Sequence, residues 1–102
     1  MKIIRCLSEK IEEELDDADA YINLAMEWKD QDKEAADLFY ELSTEEMGHM
    51  ERLHNEVTKQ INAYREKSGE PPENMMTLYR YLHEKHIGEA MKIRVKQGMY
   101  KA

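Results

Sequence analysis

The stretch "STEEMGHMERLH", residues 43–54, decides how this chain is read. It lies in the longest uninterrupted helical pattern of the sequence. At about 100° per residue, Phe39 and Val57 fall about 20° from Glu46, Leu53 about 20° to the other side, and Leu42 and Met50 about 40° away. Glu46 therefore stands inside an apolar stripe, with His49 about 60° round the same helix. An ionised carboxylate in such a place needs a partner, because unpaired it costs several kcal/mol or surrenders its charge.

Outward from this stretch, the pattern is helical almost everywhere. Proline occurs only at 71 and 72 and glycine only at 48, 69, 88 and 98. A first helix is expected over about 8–29, opening at Ser8 as N-cap with the acids of "EKIEEE" near the positive end of its dipole. "DQD" at 30–32 offers a short connection with Asp32 as the next cap, and a second helix follows over about 33–67. It stops at "SGEPP", where Gly69 can take a positive φ. Pro72 suits the first turn of a third helix over about 72–97. No repeat, low-complexity tract or strand-like alternation interrupts this, so the expected fold is all-α: one domain, 1–102, an antiparallel bundle of three long helices joined by short loops.

Charge divides the chain unevenly. Residues 1–56 carry 17 acids and 6 bases, a net of −11, whereas residues 57–102 carry 5 acids and 9 bases, a net of +4. The acidic front repels a phosphate backbone and attracts cations, so nucleic acid is not an expected partner; the basic tail suits an acidic protein surface. Cys6 is the one cysteine and cannot form an internal disulfide. No stretch has the length or apolar density of a signal peptide or membrane span, so a cytoplasmic location without membrane contact is expected.

The first helix repeats the anomaly of the second. Around Glu14, Leu7 and Ala25 fall at about 20°, Ala18 at about 40°, Ile11 at about 60° and Tyr21 at about 20° on the other side. Two carboxylates and an imidazole thus face apolar stripes, where a divalent metal is a better-matched partner than Lys or Arg. Glu-x-x-His at i and i+3 aims one oxygen and one nitrogen ligand at a common point, and with a Glu from a neighbouring helix it makes half of a four-helix carboxylate site. Hard oxygens mixed with imidazole suit iron or manganese, and zinc can also occupy such a site. In the third helix His86 lies among Met75, Tyr79 and Ile93, with His83 on the flank. Either one is a candidate to add an imidazole to the metal or to support Glu14 or Glu46 from behind. Alternatively His86 bonds Tyr or Glu across a helix interface. His54 falls at the edge of its stripe and reads as an ordinary polar residue, and the eight methionines read as flexible packing.

Glu14, Tyr21, Phe39 and "EEMGH" at 45–49 together resemble the first half of the ferritin-like superfamily, in its rubrerythrin and encapsulated-ferritin branches, over roughly residues 8–57. Those families place a Tyr one heptad after the Glu on the same face and an E-x-x-H about thirty residues on. The chain departs from rubrerythrin in lacking a second E-x-x-H and a Cys-rich module, and from encapsulated ferritin in its longer third helix. The resemblance implies a di-iron carboxylate protein of the ferroxidase type: Glu14 a terminal ligand, Glu46 a bridging one, His49 a nitrogen ligand and Tyr21 beside them. One chain supplies only half the ligands, so a homodimer or higher homo-oligomer is expected, with paired copies completing the four-helix core. Two rivals are a non-catalytic helical accessory module, phage-type, with structural metal or none, and a rubrerythrin-like peroxidase served by a separate electron donor.

Overall fold

The computed structural model describes residues 2–102, and it is helical throughout: α1 spans Lys2–Trp28, α2 Lys33–Ser68 and α3 Glu73–Lys101. The three helices form a slender bundle of 56 × 19 × 17 Å. No strand occurs among the described residues, as the periodicity predicts.

Each helix has a buried seam with the alternating four and three spacing of a heptad. On α1 it runs through Ile4, Ser8, Ile11, Leu15, Ala18, Ile22 and Ala25, all buried. Ser8 belongs to this seam, which corrects the expectation that it caps the helix. The apolar pattern continues back through Ile4, so α1 starts at Lys2, a turn and a half earlier. The α2 seam runs through Ala36, Tyr40, Ser43, Met47, Met50, His54, Val57 and Ile61, with Tyr40 and His54 half-buried. On α3 it passes through Met76, Tyr79, His83, His86, Ala90, Ile93, Gln97 and Tyr100.

The α1–α2 hairpin is the main body. Asp32 caps α2 as the sequence predicts, its side chain accepting from the Ala35 amide at 3.1 Å. At mid-length the Ser43 hydroxyl donates to the Ala18 carbonyl at 2.7 Å, with both residues wholly buried. One heptad towards the loop, Ala25 and Ala36 are also wholly buried. Small side chains at both levels let the two backbones come close. At the far end of α2, Gly69 adopts φ 79° and ψ −164°, a region essentially reserved for glycine, and its amide caps the Arg65 carbonyl. Pro72 stands at the N-cap of α3, one position before the first turn expected for it, and α3 continues to Lys101.

The third helix packs chiefly on α1 and touches α2 at few points. The basic tail therefore docks on this chain's own acidic half. Lys96 Nζ reaches Asp19 at 2.8 Å and Asn23 at 3.0 Å, Lys85 Nζ reaches Glu12 at 3.4 Å, and Arg94 pairs with Glu51 of α2 at 2.7 Å. These exposed pairs contribute direction more than stability. The firmest tie is at the C-terminal end, where Tyr100 is 3 % exposed. Its ring stacks on Tyr40 at 5.2 Å, its hydroxyl bonds Asp37, and its carbonyl accepts from Lys29 Nζ at 2.7 Å.

Candidate metal centre

Adjacent to the buried seams of α1 and α2 runs a second pair, one residue out of phase. On α1 it comprises Ile3, Leu7, Lys10, Glu14, Asp17, Tyr21, Leu24 and Trp28; on α2 it comprises Phe39, Leu42, Glu46, His49, Leu53, Glu56 and Gln60. Most members are half-buried, because α3 covers the other side of α1 and none of the described residues covers this one. Glu14 and Glu46 therefore do not lie at the centre of the packed stripes, as the sequence suggests, but at their border, facing the open side.

At mid-length this open face brings Glu14, Glu46 and His49 together. One potential ligand atom from each lies within 4.8 Å of the others. His49 Nδ1 stands 3.4 Å from Glu14 Oε2 and 3.6 Å from Glu46 Oε2. Side-chain exposure is 25 % for Glu14, 19 % for Glu46 and 53 % for His49, so the carboxylates are recessed and the imidazole forms the outer lip. Glu14 Oε2 is itself buried and makes no hydrogen bond. Among the described residues no Lys or Arg lies within ion-pair distance of Glu14 or Glu46. Two carboxylates with one imidazole form a donor set of the kind that suits a divalent transition metal. Tyr21 sits one heptad from Glu14, where its ring stacks on Phe39 at 6.4 Å and closes the loop-side end of the cluster.

The histidines of α3 lie elsewhere. His86 is buried and its Nε2 meets Glu12 Oε2 at 2.8 Å, which realises the alternative of a Glu bonded across a helix interface. Glu12 is about 200° round α1 from Glu14, so the side that α3 takes separates His86 from the cluster. His83 stacks on His54 at 4.6 Å. Neither joins Glu14, Glu46 and His49, and the expectation that either adds an imidazole there is corrected. His54, read from the sequence as unremarkable, is a seam residue; its spacing from Met47, Met50 and Val57 carries that signal.

Comparisons of the chain with protein-family models, with curated proteins and with solved structures give no match.

Proposed function

We propose that this chain is a ferritin-like half-site protein that binds divalent iron through Glu14, Glu46 and His49 and forms the complete di-metal centre as a homodimer. The observation that carries the reading is the convergence of the three ligand atoms around the buried, unbonded Glu14 Oε2. The second seams on α1 and α2 support the dimer. In a four-helix bundle every core helix packs against two neighbours, and these two helices each carry one used and one unused heptad seam. A twofold axis over the open face would supply the second Glu and the second Glu-x-x-His by symmetry.

In this reading Glu14 and Glu46 hold the cation as fixed anions, and His49 adds a neutral nitrogen donor from the rim. The flanking Tyr21, Leu24, Trp28, Phe39 and Leu42 exclude water once a second copy covers them. With Fe(II) as substrate, the chemistry of such a centre is paired one-electron oxidation by O₂ or peroxide.

The test is anaerobic titration of the purified protein with Fe(II), followed by sedimentation with and without chelator and then by admission of air. The expected result is one Fe(II) per chain and a dimer stabilised by metal, because a ligand that binds only the associated state shifts the equilibrium towards it. Stoichiometric oxygen uptake marks the ferroxidase; binding without uptake marks a structural metal. A chain that takes up no metal refutes the proposal.

A further inference from the structure

Three of the chain's four histidines, His54 of α2 and His83 and His86 of α3, occupy seam positions of their heptads. They meet where the three helices come together, beside a cavity of about 340 Å³. The rings of His54 and His83 stack at 4.6 Å with an interplanar angle of 14°, and Tyr79 stacks on His83 at 5.6 Å.

The charged groups around this stack are already paired. From α1, Glu12 is engaged by His86 at 2.8 Å and by Lys85 at 3.4 Å. From α2, Glu51 is engaged by Arg94. Glu89 of α3 lies beside Lys85 at 3.8 Å, and burial holds the Tyr79 hydroxyl above its ordinary value of 10.0, so it stays uncharged. Among the described residues no carboxylate stands within ion-pair distance of His54 or His83. Protons added to the two rings would find no counter-charge and would face each other.

We propose that the His54–His83 stack is an acid-released clasp. Neutral, the rings hold the N-terminal half of α3 against α2; protonated together, they repel and that half lifts away. His86 on Glu12 and Lys96 on Asp19 keep α3 on α1 throughout. The released half is the N-terminal one because the other ties to α2, through Arg94, Gln97 and Tyr100, all lie further along α3.

Titration runs in the required direction. Burial holds the His54 imidazole below its ordinary value of 6.5, and the nearby His83 and His86 push it the same way. A base depressed in the folded state contributes stability that is complete above 6.5 and is lost as pH falls below it towards the folded value. The window of release therefore opens in mild acid.

The experiment uses the intact chain with chelator present, so that metal does not intervene. Amide exchange over residues 75–86, corrected for intrinsic rates, is measured at pH 7.5 and 5.0 in the wild type, His54→Phe and His83→Phe, and the four histidines are titrated by NMR in the wild type. Phenylalanine keeps a stacking ring but takes no proton. The expected result is a loss of protection of about tenfold or more in the wild type and less than about threefold in both variants. His54 is expected to titrate below 6.5. Equal losses in all three proteins, no loss in the wild type, or a His54 that titrates at or above 6.5 would overturn the proposal. The wild-type measurements decide it even if a variant fails to fold.

Discussion

Ser43 and Ala18 fix the register of the α1–α2 hairpin. The hydroxyl of one donates to the carbonyl of the other at 2.7 Å inside a seam closed to solvent. Glu14 lies one turn from Ala18, and Glu46 and His49 lie about one and two turns from Ser43 on the antiparallel helix of the hairpin. The level of this single hydrogen bond brings the three candidate ligands opposite each other. A slip of one turn would separate them by about 5.4 Å.

Ser43→Ala is therefore expected to cost about 1–2 kcal/mol, since it removes the bond to Ala18 and the acceptor for the Gln97 amide, 2.9 Å away. Ser43→Val should cost more, because no space surrounds a side chain of zero exposure. Urea unfolding with chelator present measures both. A silent Ser43→Ala would show that the packing of Ala18, Ala25 and Ala36 sets the register alone.

Single-ligand variants are expected to separate site from scaffold. Glu46→Ala and His49→Ala should each lose stoichiometric Fe(II) binding while the helical circular dichroism signal stays near that of the wild type, since alanine is the best helix former. Glu13→Ala is the control: Glu13 is exposed and pairs with Lys10. His86→Ala should leave metal affinity unchanged and instead loosen α3 from Glu12. Fe(II) titration by calorimetry distinguishes these outcomes, and full binding by both ligand variants would remove the metal reading.

Glu14→Leu carries a change of sign. Without metal it should stabilise the fold by about 1 kcal/mol, because it removes a buried oxygen that has no hydrogen bond. With metal the wild type gains stability and the variant does not, so the order reverses. Thermal melts with chelator and with added Fe(II) give the four values needed. A variant less stable than the wild type in chelator would mean that the carboxylate is satisfied as it stands.

Gly48 interrupts the Glu-x-x-His turn without a packing reason inside the chain. A Cβ there meets nothing within 4 Å. Gly48→Ala should raise stability by about 1 kcal/mol through helix propensity alone and leave metal binding intact. Loss of dimer in sedimentation would instead place Gly48 under a second copy.

The helices were legible where local chemistry decides them. Asp32, Gly69 and the prolines mark the ends of α2 to within a residue or so because caps and positive φ are properties of the chain itself. Ser8 misled because a serine before an acidic run looks like a cap, and only the heptad reaching back to Ile4 shows otherwise. The phase of the apolar stripes was ambiguous for a physical reason. Two seams one residue apart both carry apolar side chains, so the one holding Glu46 and the one holding Met47 compete until the hairpin chooses. The meeting of Glu14 with Glu46 and His49 could be read from spacing. The partner of His86 could not, since the run "EEE" at 12–14 offers carboxylates on opposite sides of α1 and the sequence does not say which side α3 takes.

The attachment of α3 has a kinetic consequence. The helix is joined covalently to α2 through residues 69–72 and fastened at its other end by Tyr100 to Lys29 and Asp37. Some 43 Å of helix thus lies between two anchors. Any part of it that leaves its groove stays at high effective concentration beside its docking surface. Return is a unimolecular step that dilution cannot slow, so α3 can open and reseat many times without the chain ever losing its third helix.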